Sequence, residues 1–282
     1  MKYGFKTFNG PSLIRLVFQF GSVITFIATV IYCHISTIPY SVSVFMIFFT
    51  ALTVVISFLF ANHTTLRYLF STFTLLIAWR IGILYNIPDW LTILFGILFL
   101  SKISYFITIA YLDITSTRPL DKYLPAHYIS TNEWQLLFVR LYVGYDLVPH
   151  FTEKLFAANI RLGDVDSFSQ LGISHPLFFV LVAGVIELLG SLSLIFGILT
   201  SAGSILLFIY LVVTAFLGHH FSDGFIWASP GGGWEYPVLW SVLVLTFAFF
   251  APYKFSVDQF LLNHYNLPQW LVYFIGKRRK TF

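Results

Sequence analysis

The chain is dominated by apolar runs of about 20 residues, the length an α-helix needs to cross the hydrocarbon core of a bilayer. Eight such runs can be drawn: Leu13–Cys33, Tyr40–Ala61, Leu66–Leu84, Trp90–Leu112, Glu133–Phe151, Pro176–Leu199, Ala202–His219 and Tyr236–Pro252. A transmembrane barrel would show short alternating segments instead. Only 10% of the residues are charged and the mean hydropathy is +0.83, whereas soluble domains carry about 25% charged residues. The expected fold is therefore all-α, a polytopic integral membrane protein with about eight transmembrane helices. The net charge of +4 is concentrated in the tail Lys277, Arg278, Arg279 and Lys280, so it bears on topology and not on nucleic acid.

Basic residues orient such a chain, because short cytoplasmic loops retain them. With the N-terminus inside, Lys2, Lys6, Arg67, Arg118, Lys122, Lys254 and the four tail residues fall on the inner side. Only Lys154 and Arg161 fall outside, and the other four of the sixteen lie within spans. Both termini are thus expected in the cytoplasm, with loops 152–175 and 219–235 facing outward. A long connection, Asp113–Asn132, contains two prolines and separates an N-terminal four-span region (1–132) from a C-terminal four-span bundle (133–282). After the last span, Ser256 and Gln259 have capping-box spacing. They predict a helix from Ser256 to Tyr265 lying in the interface.

Charges within the spans are costly and mark partners, cavities or pathways. Arg140 lies seven residues in from Glu133, and Glu187 lies eleven in from Pro176. At about 1.5 Å per residue the two come to similar depth in a core about 30 Å thick, which predicts an Arg140–Glu187 pair. The same reckoning pairs Arg80 with Asp146. Arg15 is placed to snorkel to the inner surface, and Lys102 has no assigned partner. Gly190 and Gly197 share a stripe with Glu187 one turn from Gly190, so the acid is expected between helices and not against lipid.

The stretch Gly218–Trp240 is the polar exception. With the preceding outer loop it gathers His150, Lys154, His175, His219, His220, Asp223 and Glu235, beside Trp227 and Trp234. Imidazole and carboxylate groups can exchange protons near neutral pH, which suits the head group of a quinone. The tryptophans on their own suit an interfacial aromatic belt. His219 and His220 are weak metal candidates, since adjacent residues on a helix point about 100° apart. The single cysteine, Cys33, excludes an intrachain disulfide, a CxxC pair and thiolate-bound iron–sulfur or CxxCH haem centres, and no flavin motif is visible.

From Arg140 to Asp258 an ordered set of short motifs is present. It comprises Arg140-Leu141 with Gly144, Pro149-His150 with Lys154-Leu155-Phe156, Leu171-Gly172 before Pro176, and Glu187-Leu188-Leu189-Gly190. Phe196-Gly197 with Leu199-Thr200 follows, then His220 with Gly224-Phe225-Ile226-Trp227, Gly232-Gly233-Trp234-Glu235-Tyr236-Pro237 and Phe255-Ser256-Val257-Asp258. The series resembles the DoxX/DoxD family of small membrane proteins. It departs from that family at Phe151, Ser191 and Ser201, and the first four spans match no part of it. The resemblance implies a DoxX-type four-helix bundle in the cytoplasmic membrane of a bacterium or archaeon. It also implies a quinone-linked oxidoreductase, or a membrane subunit of one, that takes electrons from thiosulfate or another sulfur or thiol donor. Glu187, His220, Glu235 and Arg140 would then be catalytic, and His150, Lys154, Asp223, Trp227 and Trp234 would bind quinone or substrate. Quinone would be a substrate, and a partner subunit would carry electrons. Two other classes fit the same residues: a non-catalytic scaffold for a partner enzyme, and a proton-coupled transporter.

Overall fold

A computed structural model describes residues 10–59, 64–115, 131–253 and 255–276. Among these residues all regular structure is helical. Lys2, Lys6, Arg118, Lys122, Lys254 and the Lys277–Lys280 tail, which carry most of the orientation argument, lie outside the described residues. Contacts divide the chain into two compact units, Met1–Ile129 and Ser130–Phe282; Arg80 and Asp146 fall in different units.

The first unit contains α1 (Gly10–Ile35), α2 (Tyr40–Leu59), α3 (Thr64–Leu84) and α4 (Asp89–Thr115). Helix α1 packs on α2 and α4, and α3 packs on the same two, which closes a ring of four. The polarity of α1 is inverted relative to a soluble helix. Phe20, Ile24, Ile27 and Ile31 recur at spacings of four, three and four on an exposed face, while Ser22, Thr25 and Thr29 are buried. That pattern is stable only where the surroundings are hydrocarbon, and it identifies a membrane protein. Hydroxyl groups join the helices inside the ring: Ser22 with Ser57 at 3.3 Å and Thr53 with Thr74 at 2.8 Å. Lys102 does have partners. Its ammonium donates to Ser71 Oγ at 2.9 Å and lies 5.3 Å from the ring centre of Phe18.

The second unit contains α5 (Thr131–Phe156), α6 (Ala158–Gln170), α7 (Pro176–Phe196), α8 (Thr200–Leu217), α9 (Glu235–Phe250), α10 (Val257–His264) and α11 (Gln269–Ile275). Helices α5, α7, α8 and α9 meet around Val143, Leu147, Leu194, Leu207, Val244 and Phe247. Small residues set the register between them. A Cβ on Gly144 would meet Ile195, and one on Gly184 would meet Lys154 Cβ at 2.9 Å. Ser191 Oγ donates to the Gly144 carbonyl at 2.7 Å. Helices α5 and α7 are therefore antiparallel, and α8 and α9 alternate in the same way. One end of the unit, the loop end, holds the end of α5, helix α6, the start of α7 and the segment 218–234. The opposite, tail end holds the start of α5, the end of α7 and helices α10 and α11.

Among the described residues, five helical stretches are long and apolar enough to cross a membrane: Leu16–Ile35, Tyr40–Phe58, Asp89–Thr108, Pro176–Phe196 and Thr200–Leu217. The apolar stretches Tyr68–Leu84 and Glu235–Phe249 are shorter, and α5 has the length but carries Glu133, Arg140, Asp146, Glu153 and Lys154. Each of the eight expected spans coincides with a helix. Helix α6, in contrast, lies where only a loop was expected. It has no buried residues and almost no apolar periodicity, so nothing in its sequence announces it. Helix α10 begins where the cap predicted. Ser256 Oγ accepts from Gln259 N at 3.0 Å, but the Gln259 amide turns forward to Asn263, so the capping box is only half made.

Helix α8 is capped from a distance. Its own N-cap residue is Leu199, which has no side-chain acceptor and sits at φ 49°. Asp258, on the first turn of α10, supplies the cap instead. It accepts from Leu199 N at 2.7 Å, Thr200 N at 2.8 Å and Thr200 Oγ1 at 2.8 Å. Burial pushes the Asp258 carboxyl up from its ordinary value, while the Thr200 and Leu199 hydrogen bonds and the Arg140 charge pull it down. Gly197 makes this junction possible. It ends α7 in the left-handed region at φ 65°, and a Cβ there would lie 2.2 Å from Ser256 Cβ. Gly197 thus serves as a helix stop that admits α10, and not as part of a packing stripe with Gly190.

Candidate functional site

The acid expected between helices is there, but its partner is not Arg140. Glu187 is 4% exposed and accepts from Lys154 Nζ at 3.0 Å and from the Tyr210 hydroxyl at 2.5 Å, both on Oε1. Its second oxygen, Oε2, is buried without a hydrogen-bond partner. Each group reaches the cluster for a local reason. Lys154 lies in the last turn of α5, where its ammonium also meets the His150 carbonyl at 3.4 Å. Gly184 lets α7 come against the Lys154 stem. Gly190, one turn beyond Glu187, lets Leu207 of α8 come against α7, which brings Tyr210 of α8 to the carboxylate. Three helices are thus tied through one oxygen atom.

The Arg140–Glu187 pair is corrected by the same register. With Gly144 level with Ile195 and Gly184 level with Lys154, Arg140 is level with Gly197. That is ten residues, about 15 Å of helix, from Glu187. The depth reckoning placed the first residue of α7 level with the end of α5. In the fold α7 starts beyond that end, alongside α6, and Glu187 is shallower than its count from Pro176 suggests. Arg140 instead donates to the Phe255 carbonyl and stands over the Tyr253 ring, 5.0 Å from its centre.

Around the Lys154–Glu187–Tyr210 cluster, α6 adds Asp164. Burial raises its carboxyl above the ordinary value; Lys154 and His150 oppose the shift, and Glu153 adds to it. His150 is itself exposed. Tyr210 was not among the residues singled out in the sequence. The available signal was a lone phenol inside an apolar run, seven residues before the end of α8.

The segment between α8 and α9 folds back on itself at the loop end, roughly 10 Å along α8 from Tyr210. His220 Nδ1 lies 2.6 Å from the Gly232 carbonyl. A carbonyl only accepts, so Nδ1 carries a proton in this contact, and Nε2 is the ring nitrogen left to exchange one. The His220 ring packs on Trp227, with centroids 5.2 Å apart, and Trp227 packs on Tyr236 at 5.7 Å. Trp234 packs on Phe225 at 4.7 Å. The two tryptophans therefore each pack, tilted or edge-on, against a different loop neighbour, and nothing places them as two faces of one slot. Glu235 does not meet His220. It is the first residue of α9, and its Oε2 accepts from Trp227 N at 3.3 Å. Asp223 is exposed and follows His219, whose carbonyl takes the Ser222 hydroxyl at 2.7 Å. His219 is exposed at φ 59°. Among the described residues no three His, Cys, Asp or Glu side chains are grouped to hold a metal ion.

The site therefore has two layers: a buried Lys–Glu–Tyr cluster with one open carboxylate oxygen, and an aromatic, imidazole-bearing loop above it. Amine, carboxyl, phenol and imidazole groups of this kind can exchange protons.

A family model described as DoxX matches residues 135–220, which span α5 to the start of this loop. A protein of Haemophilus influenzae described only as uncharacterized is 30% identical over 130 residues, covering 46% of this chain and 87% of its own length. No solved structure matches.

Proposed function

We propose that this chain, which belongs to the DoxX family of membrane proteins, is a quinone-linked membrane oxidoreductase or the quinone-reactive subunit of one. The observation that carries the reading is the buried Lys154–Glu187–Tyr210 cluster with its open Oε2. Reducing a quinone to a quinol takes up two electrons and two protons. A carboxyl group held between an ammonium and a phenol, away from water, is suited to hand protons to a developing quinol oxygen. In this reading the head group approaches Glu187 from the loop end. His220, through Nε2, exchanges protons with the outer solution, and Trp227 and Trp234 guard the entrance. Two thiosulfate ions joining as tetrathionate release two electrons, which balances one quinone; another sulfur or thiol donor would serve on the same terms. The electrons pass through a partner subunit or directly from the donor. Arg140, at the tail end, takes no part.

The test is binding and reduction of a short-chain quinone by the full-length protein in detergent, with thiosulfate as donor. Removing a positioned proton-transfer group costs about 10²-fold or more in rate. Glu187→Gln and Tyr210→Phe should therefore lower turnover by that order, and quinone affinity by less. Wild-type protein that neither binds nor reduces quinone, alone or with its co-purified partners, would refute the proposal.

A further inference from the structure

We infer that the segment between α8 and α9 is seated in the bilayer and not in water. Its apolar side, carried by Phe221, Phe225, Ile226 and Trp227, enters the boundary between headgroups and acyl chains at the loop end. Helices α8 and α9 each present a stripe to hydrocarbon. On α8 it runs through Ile209, Val213 and Phe216, and on α9 through Tyr236, Leu239 and Val242, all exposed and spaced by three or four residues. The connecting segment continues both stripes. Phe221 packs on Phe216 with ring centres 4.6 Å apart, and Trp227 packs on Tyr236 at 5.7 Å. The segment is thus joined to a lipid-facing side chain where it leaves α8 and to another where it reaches α9.

The backbone holds the middle of the segment in place. Trp234 N donates to the Gly224 carbonyl at 3.0 Å, Glu235 N to the Phe225 carbonyl at 3.0 Å, and Gly233 N to the Ile226 carbonyl at 3.1 Å. Gly233 permits that approach, since a Cβ there would stand 2.4 Å from the Phe225 oxygen. Phe225 and Ile226 are therefore fixed beside the start of α9, yet they are 54% and 59% exposed. Unlike the Trp and Tyr of an interfacial belt, they have no polar tip to keep in water. A contiguous exposed apolar patch marks an interaction surface, and continuity with two hydrocarbon-facing stripes selects lipid as its occupant. Between residues 218 and 234 only Asp223 carries a formal charge at neutral pH, so little opposes entry of the apolar side. The His220 ring, which packs on Trp227 at 5.2 Å, is thereby brought to the lipid boundary.

The experiment is spin labelling of the full-length protein, with its single cysteine Cys33 replaced by serine, in vesicles of phosphatidylethanolamine and phosphatidylglycerol. Ile226→Cys and Phe225→Cys carry the labels. Ile209→Cys on the α8 stripe is the hydrocarbon reference, and Asp166→Cys, at an exposed position of α6, is the aqueous one. Access of oxygen relative to a water-soluble nickel chelate reads the depth. Labels at 225 and 226 should favour oxygen severalfold more than the label at 166 does, at a depth of about 5–10 Å into the headgroup and acyl boundary. If Phe225→Cys disturbs the loop, Ile226→Cys decides alone. A chelate that reaches 226 as freely as 166 would place the segment in water and overturn the inference. Poor access for both reagents would mean that protein, a second copy or a partner, covers the patch, and would overturn it equally.

Discussion

Replacing Asp258 with alanine should destabilise the second unit by about 3 kcal/mol, which is more than the loss of an ordinary helix cap. A solvent-exposed N-cap is worth about 1 kcal/mol and at most about 2. Asp258 does more than such a cap. It is 0% exposed and receives three hydrogen bonds of 2.7 to 2.8 Å from Leu199 and Thr200. Hydrogen bonds to a charged group contribute about 1.5–3 kcal/mol each, so the gross interaction is about 4–9 kcal/mol. Desolvating the carboxylate offsets several kcal/mol of this, which leaves about 3. The α8 donors have no local substitute, because Leu199 cannot accept, and the Arg140 charge loses the carboxylate that acts on it. The assay is reversible unfolding of the full-length protein in SDS-containing mixed micelles, followed by circular dichroism. Thr200→Val removes only one of the three bonds and should cost about 1 kcal/mol. An Asp258→Ala variant within about 0.5 kcal/mol of wild type would refute the reasoning, since it would mean that water caps α8 equally well.

Three further perturbations probe other parts of the fold. Gly184→Ala places a methyl 2.9 Å from Lys154 Cβ and should cost about 1–3 kcal/mol by forcing α5 from α7; the same unfolding assay measures it. In the first unit, Lys102→Met should be neutral or stabilising, because it removes a buried charge held by one hydroxyl and an aromatic ring. Ser71→Ala leaves that ammonium unpaired and should cost about 1–3 kcal/mol, so equal effects of the two would contradict the assignment. The raised Asp164 carboxyl means the folded state holds its proton more tightly than the unfolded chain does. Its contribution should therefore be fully present below the ordinary carboxylate range and decline as pH rises through the window just above it. Asp164→Asn should flatten that part of the stability-against-pH curve.

Much of this architecture is legible in the chain because it depends on composition and length. Apolar runs long enough to span hydrocarbon must become helices that satisfy their own backbone, and all eight expected runs coincide with helices. Burial of Glu187 could be read from Gly190 one turn away, and the start of α10 from Ser256 and Gln259, since both are signals within a turn or so of sequence. Helix α6 could not be read, because neither apolar periodicity nor a cap marks it. Nor could the partners of the buried charges. Whether Glu187 meets Arg140 or Lys154 depends on how far α7 slides along α5, and a slide of ten residues leaves every local pattern unchanged. Only the close contacts at Gly144 and Gly184 settle that register, and the contact at Gly190 sets α8 against α7. They place Lys154 and Tyr210 on the acid, hand Asp258 to α8, and leave Arg140 over the Tyr253 ring. The sequence alone determined that the long apolar segments are helices set in hydrocarbon, because length and composition are local properties. The chemistry of each buried charge was decided by tertiary structure, because it depends on which side chains lie at the same depth.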